Sequence, residues 1–543
     1  MKFKYLFAFG LAAASLSAMA QTHAEGVEYY EADQLNNAKE LLQRNLNNPG
    51  TDKAIAFYYQ GMIALRNGNE NEAAKLFEQG LQANPDYAFN YIGLGQIDLK
   101  ANAPKVAETN FKKAESLAKK NPAVFVALAR AYDAVNPDLY AKEIEKNLNK
   151  ARKISLEDPN SYIFEGDRLA RNKDWGQAGA KYEMAITYDP NATAAYVKYA
   201  NLFTQVNPQY SINMLRKLLQ VNPQSALGQR ELANAYYNNK QYKEAAEEYG
   251  KYVNNPNHFK QDEDRFAFLL FYDGKYNDGY KYATQLLQKD PNNFSAMRYQ
   301  LMNAAQDKSL ADQLLPMAEK LWKAQQADPA NRKFAPIDYI LISQEFQTAK
   351  RYEDAMAVLN DAMTAMPDNA SFPKELSMVY VGLNDMVGAS EAYDKYMALN
   401  PETGYNDYIQ AAIFAMYAGV QDKADKPAEA DAYFEKAANF ANKAATILPD
   451  NYKPVKTIGD IELQKASKEN AESAAAPKYL EAIALLEAAP DPSRYTNDAK
   501  TMYNYVGNYY LSQNNKADAK KYFQKYLELD PNNEQYRKFV NGL

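Results

Sequence analysis

Prolines recur down this chain at a nearly constant interval. Pro85, Pro122, Pro159, Pro190, Pro223, Pro256, Pro291, Pro329, Pro367, Pro401, Pro449, Pro490 and Pro531 stand mostly 31 to 38 residues apart. A fixed period of about 34 residues marks stacked helix-turn-helix units, each too small to bury its own apolar face and therefore packed on its neighbours. With 47% hydrophobic residues over 543 positions, the chain has the apolar material for a continuous stack. The repetition favours one long solenoid over a set of unrelated domains.

The first twenty residues break this pattern. Lys2 and Lys4 precede an apolar run from Tyr5 to Leu16, and Ala18, Met19 and Ala20 follow. A basic start, an apolar stretch and a small-x-small site form a secretory leader, with cleavage expected before Gln21. Loss of Lys2 and Lys4 takes the formal charge from -6 to -8. An acidic chain is not drawn to nucleic-acid phosphate or anionic lipid, which need a basic face. The chain has no cysteine, so an exported fold stands without disulfides and no lipid is attached through a cysteine at the cleavage site. No later apolar run approaches the ~18 residues of a membrane span. The expectation is a soluble exported protein, most simply a bacterial periplasmic one.

The block from Ala54 to Pro85 shows the unit most clearly. Gly61, Ala73 and Phe77 occupy its eighth, twentieth and twenty-fourth positions. The positions recur as Gly166, Ala178 and Tyr182, and again as Gly507, Ala519 and Phe523. Small residues at two sites let paired helices approach, and the aromatic fills the space beside that contact. Proline after the second helix stops it. This pattern resembles the tetratricopeptide repeat (TPR) family, and the resemblance implies an all-α, right-handed superhelical solenoid of about 13 helix-turn-helix repeats.

The expected division is a leader over 1–20, a degenerate helical pair over 21–53, a repeat array over 54–291 and divergent repeats over 292–367. A second array over 368–531 carries insertions near 421–427 and 465–477, and a polar cap covers 532–543. The second insertion reads as a loop or an exposed helical extension.

Little in the sequence points to catalysis. His23 and His258 are the only histidines; neither belongs to an HExxH pattern, and the nitrogen and sulfur donors of common metal sites are scarce. His23 is expected at a frayed terminus and His258 on the surface beside a joint. No cofactor and no metal are expected. Asp262, Glu263 and Asp264 lack the glycine and distal glutamate of a calcium loop and read as a helix start.

The family resemblance implies that the first helix of each pair lines a concave groove and that its ninth position points inward. Those positions are Met62, Gln96, Arg130, Asp167, Asn201, Asn234 and Phe268, five polar residues between two apolar ones. Arg230 stands one turn before Asn234 and could contact a carboxylate. Side-chain amides donate and accept together, which suits an extended peptide backbone; the same ladder could equally be the solvated inner face of a curved array. Tyr58, Tyr59 and Tyr237 are candidate surface anchors among the 44 tyrosines, most of which read as core.

The expectation is thus an exported, non-catalytic scaffold that holds peptide or protein partners, in envelope assembly or secretion. Gln96, Arg130, Asp167, Asn201, Arg230 and Asn234 are the groove candidates. Two alternatives stand beside it: an acid/base enzyme acting on envelope glycans, and a structural spacer.

Overall fold

A computed structural model describes residues 21–118 and 120–543; the leader expected over 1–20 lies outside them. Among the described residues the regular elements are 29 α-helices and two short 3-10 turns, with no strand. The protein is an all-α repeat solenoid. It divides into two compact units, one ending at Tyr282 and the other beginning at Ala283.

The first unit runs through the pairs α1 (His23–Glu31) and α2 (Leu35–Arg44), α3 (Lys53–Arg66) and α4 (Glu70–Ala83), α5 (Ala88–Lys100) and α6 (Pro104–Ala118), and α7 (Pro122–Val135) and α8 (Ala141–Ile154). It continues with α9 (Pro159–Arg171) and α10 (Trp175–Tyr188), α11 (Thr193–Phe203) and α12 (Pro208–Val221), α13 (Ala226–Asn238) and α14 (Tyr242–Tyr252), then α15 (Lys260–Tyr272) and α16 (Tyr276–Lys289), within which the boundary falls. The second unit holds α17 (Phe294–Ala304), α18 (Ala311–Ala327), α19 (Pro336–Thr348), α20 (Tyr352–Ala365), α21 (Ser371–Gly382), α22 (Met386–Leu399), α23 (Tyr405–Asp422), α24 (Pro427–Ile447), α25 (Tyr452–Lys465), α26 (Ala471–Glu487), α27 (Thr496–Ser512), α28 (Lys516–Leu529) and α29 (Glu534–Gly542).

Within a pair, the small residue and the aromatic meet as their spacing predicts. A Cβ on Gly61 would stand 2.4 Å from the Phe77 ring, and one on Gly507 would stand 2.4 Å from the Phe523 ring. Phe77 and Phe523 are themselves fully buried. The turn joining the two helices uses a left-handed residue: Gly68 and Gly274, but also Asp33, Asn102, Lys173, Lys240, Lys350, Asn384 and Asn514. In each of these turns the next residue's N–H reaches back to close the helix end, as Gln34 N–H does to Tyr29 O at 2.9 Å.

The prolines divide into two kinds. Pro85, Pro190 and Pro223 follow a finished helix, whereas Pro122 and Pro159 are the first residues of α7 and α9. There proline loses nothing, because the first N–H of a helix has no partner within the helix. Asn121 and Asp158 cap those two helices with side-chain oxygens. The wide rungs also have causes: a 3-10 turn at Lys308–Leu310 precedes the 17-residue α18, and α23 and α24 run to 18 and 21 residues. The segment expected near 421–427 shortens to the link between Asp422 and Pro427, and Ala471 onward is helical with Pro477 inside it.

Candidate functional site

Four of the six groove candidates meet around one cavity in the first unit. Gln96 of α5, Arg130 of α7, Asp167 of α9 and Asn201 of α11 line a space of about 730 Å³. They come from the first helices of four consecutive pairs, so a constant register brings one side chain per pair to the same side. Tyr58, Phe89 and Phe164 supply apolar wall. The opposite wall is Tyr30, Glu31, Ala32 and Asp33, from α1 and the turn after it. Helix α1 packs on α2 and α3 as a neighbour should, and also on α11 and α13. The first pair therefore returns to the sixth and seventh, and the groove becomes a chamber that stays open to solvent on the side of Asn201.

The chamber's charges are opposed in sign and mutually paired. Lys198, with its side chain only 9% exposed, binds Asp167 at 2.9 Å and also Asp33. Arg66 meets the other Asp33 oxygen at 2.8 Å. Burial pushes the Asp33 carboxyl up, but Lys198 and Arg66 outweigh it and hold the group below the ordinary aspartate range. Asp133 is held by Arg168 at 3.1 Å and by Arg171. Arg130 is bound more loosely than these, 3.5 Å from Asp167 and 3.9 Å from Glu31, with its guanidinium 5.4 Å from the centre of the Phe164 ring.

At three pairs a tyrosine at the twenty-fourth position reaches the ninth-position side chain: Tyr182 donates to Asp167 at 2.9 Å, Tyr249 donates to Asn234, and Tyr479 donates to Asp460 at 2.7 Å in the second unit. In the pair of Gln96 that position is Phe111, which has no hydroxyl. Gln96 faces Phe111 across Gly95, is 5% exposed, and its Oε1 has no hydrogen-bond partner. A buried amide oxygen without a partner is costly, roughly 1–3 kcal/mol.

Arg230 and Asn234 lie outside this chamber. Arg230 grips Asp262 through Nε at 2.6 Å and Nη2 at 3.4 Å, lies over Phe259, and donates to Gln34 of the first pair at 3.3 Å. Asn234 accepts from Tyr249 and from Arg265 at 3.1 Å. Both are committed to contacts within the protein.

Sequence reasoning missed Asp33, Glu31, Arg66, Asp133 and Lys198. Two carried a signal: Asp33 occupies a left-handed turn position that elsewhere takes Gly68 or Gly274, and Lys198 stands alone in the otherwise uncharged α11. Tyr58 is buried and, with Tyr59, lines the chamber, where the Tyr59 hydroxyl donates to Glu31 at 3.2 Å. The expected frayed His23 instead begins α1, its Nδ1 accepting from the Asp52 N–H at 3.1 Å. His258 is half-buried, with Nε2 3.2 Å from Glu263. Asp262 and Glu263 do start a helix and are buried there. Among the described residues, no group of three or more histidine, aspartate or glutamate side chains is placed to hold a metal ion.

Tetratricopeptide-repeat models match residues 23–88, 201–258 and 502–533. Over 146 residues the chain is 27% identical to the Protein CTR9 homolog of Arabidopsis thaliana, which is 27% of this chain and 12% of that protein's length. The C-terminal part of a TPR repeat-containing protein from Cytophaga hutchinsonii is similar at 15% identity and a TM-score of 0.41, over 51% of this chain and 98% of that one. YrrB, described as a TPR protein with an unusual peptide-binding site, is similar at 14% identity and a TM-score of 0.29, over 42% and 100%. With its repeat register, its glycine-aromatic contacts and the family-model matches, the chain carries tetratricopeptide repeats over residues 23–88, 201–258 and 502–533.

Proposed function

We propose that this protein is an exported, non-catalytic scaffold that holds a peptide or protein partner against the inner helices of its first unit, in cell-envelope assembly or secretion. One observation carries the reading. Gln96, Arg130, Asp167 and Asn201, from four successive pairs, line a single chamber. A peptide group would meet the exposed Asn201 amide, a carboxylate would find Arg130 only loosely engaged, and Tyr58 and Phe164 would pack on apolar side chains. The export half rests on residues 1–20 of the sequence.

An acid/base enzyme is less well supported. General acid catalysis near neutral pH uses a carboxyl whose pKa is raised, and Asp33 is moved the other way by its two cations. Asp133 and Asp167 are each paired with bases as well.

The test is photocrosslinking in cells from a benzoyl-phenylalanine placed at Asn201, with an exposed position such as Lys105 on the outer helix α6 as control. Capture of a defined partner from position 201 alone, lost with Arg130→Glu and reduced with Gln96→Leu, is the expected result. Equal labelling from both positions, or capture indifferent to both substitutions, leaves the spacer reading in its place.

A further inference from the structure

The contacts that close the chamber differ in kind from those that build the repeats. Within a pair, an aromatic ring sits on a glycine, as at Phe77 and Gly61. Where α1 and α2 meet the sixth and seventh pairs, a buried apolar cluster that includes Tyr29 and Phe259 is ringed by polar contacts. Lys198 holds Asp33, Ser225 Oγ donates to Glu28 at 3.1 Å, Gln34 donates to Glu231 at 2.8 Å, and the Asn45 amide donates to Asn257 at 3.3 Å. Arg44 donates to the His258 carbonyl at 3.1 Å and Gln21 to that of Pro256 at 2.5 Å. The main aromatic contact across this seam is Tyr29 edge-on to Phe259, 5.3 Å between centroids.

The seam is also imperfectly satisfied. Glu25 Oε2 and the Tyr29 hydroxyl are buried without partners. Glu25 and Glu28 meet backbone N–H groups and hydroxyls there, with no cation recorded against either. Water can take over these polar contacts on opening, which leaves the exposure of Tyr29 and Phe259 as the main cost of separating the seam. The first pair is joined to the rest of the stack by one stacking interface, onto α3, and by the seam.

We infer that the first pair is a gate: α1 and α2 swing off α11 and α13 as a unit while the pairs from α3 onward stay folded, and opening of the seam widens the chamber so that its partner enters from the side. This rests on the partner-binding reading above and adds its regulation. The wall from Tyr30 to Asp33 narrows the groove beside Asn201, and its removal leaves a broader groove that accepts a chain segment from the side. Occupancy and closure are then linked, since a partner bound to both walls holds the gate shut.

The chain has no cysteine, so Gln34→Cys with Glu231→Cys gives one bridging site for a short bis-thiol reagent across the seam. Hydrogen exchange by mass spectrometry on the full chain, before and after bridging, reads the opening directly. The expected result is that residues 23–44 exchange at least tenfold faster than 53–66 and 88–100, and that bridging slows the first segment without changing the others. Residues 23–44 exchanging in step with 53–66, or bridging without effect, overturns the gate.

Capture from position 201 in the same preparations reads admission, and loss of capture on bridging is expected. Equal capture with and without the bridge overturns the gate while leaving the scaffold reading intact. Absence of capture in both removes the scaffold reading, and exchange still decides whether the seam opens. Should the cysteine pair disturb folding, Asp33→Gly serves as the second variant, because the turn favours glycine there; it should speed exchange of 23–44 and raise capture.

Discussion

In the second unit, a hydrogen bond such as that from Tyr452 to Asp498 spans 46 positions and joins one pair to the next; in the first, Gln21 reaches Pro256 across 235. The two units nevertheless share their joints. Arg298 binds Asp338 at 2.6 Å in the second unit much as Arg230 binds Asp262 at 2.6 Å in the first, the acid standing near the start of the following first helix each time. At Arg230 a residue from a distant pair, Gln34, joins the contact. A chamber walled by a returning pair therefore needs no new fold. It needs polar groups on the inner helices that a returning pair can meet.

The largest effect should come from breaking the stack in each unit. Phe77→Ala and Phe523→Ala each remove a fully buried ring and should cost about 3–5 kcal/mol. The consequences should differ in reach. Loss at Phe523 should unprotect α27 to α29 alone, while loss at Phe77 should also loosen residues 193–262, since the first pair leans on both. Hydrogen exchange resolved by segment checks this.

Asp33→Gly comes next. It preserves a left-handed turn but deletes the carboxylate shared by Lys198 and Arg66, at roughly 1–2 kcal/mol after allowing for an Asp33 side chain that is 51% exposed. Asn384→Gly, at the equivalent turn of the second unit, should be neutral or slightly stabilising. Thermal unfolding of the two variants tests the contrast.

Seam closure should also depend on pH. Burial raises Glu25 to about 8, and neighbouring Glu28 adds to the shift, against the N–H groups of Ala226 and Leu227. Burial raises Glu28 as well, opposed by Ser225 and Thr193. The nearby charges, Arg230, Glu231 and Asp262, are engaged with one another and with Gln34. With an open-state value near 4.5, closing the seam takes up a proton between the two pKa values. Its contribution is complete below about pH 4.5 and is lost as pH rises through about 8. Opening of residues 23–44 should rise by up to about tenfold per pH unit in that window, and Glu25→Gln should flatten the profile.

The smallest effect is the most specific. Gln96→Leu removes a buried acceptor that has no partner and should stabilise the unliganded protein by up to about 1 kcal/mol, while weakening partner capture. Stabilisation without any loss of capture would take Gln96 out of the site.

Much of this was legible in the sequence, because repeat packing is local. Gly61 with Phe77 and Gly507 with Phe523 each lie 16 residues apart, within one pair, and their meeting follows from helix geometry. The inward direction of Gln96, Arg130, Asp167 and Asn201 was what the family resemblance implied for the ninth position of that register. What the register could not show was where the stack turns back on itself. That depends on small angles accumulated over many pairs, so Asp33 and Lys198, 165 positions apart, gave no sign of belonging together. Arg230 was read as groove-facing for the same reason, and its engagement by Asp262 and Gln34 appears only once the seam is in place.

Zero-length carbodiimide crosslinking of the unmodified chain tests closure most directly. The account predicts an isopeptide link between Lys198 and Asp33, formed alongside the short-range links Lys100 to Glu70 and Lys525 to Glu487, whose groups stand at 2.5 and 2.6 Å. Formation of both short-range links with none between residues 33 and 198 would contradict it.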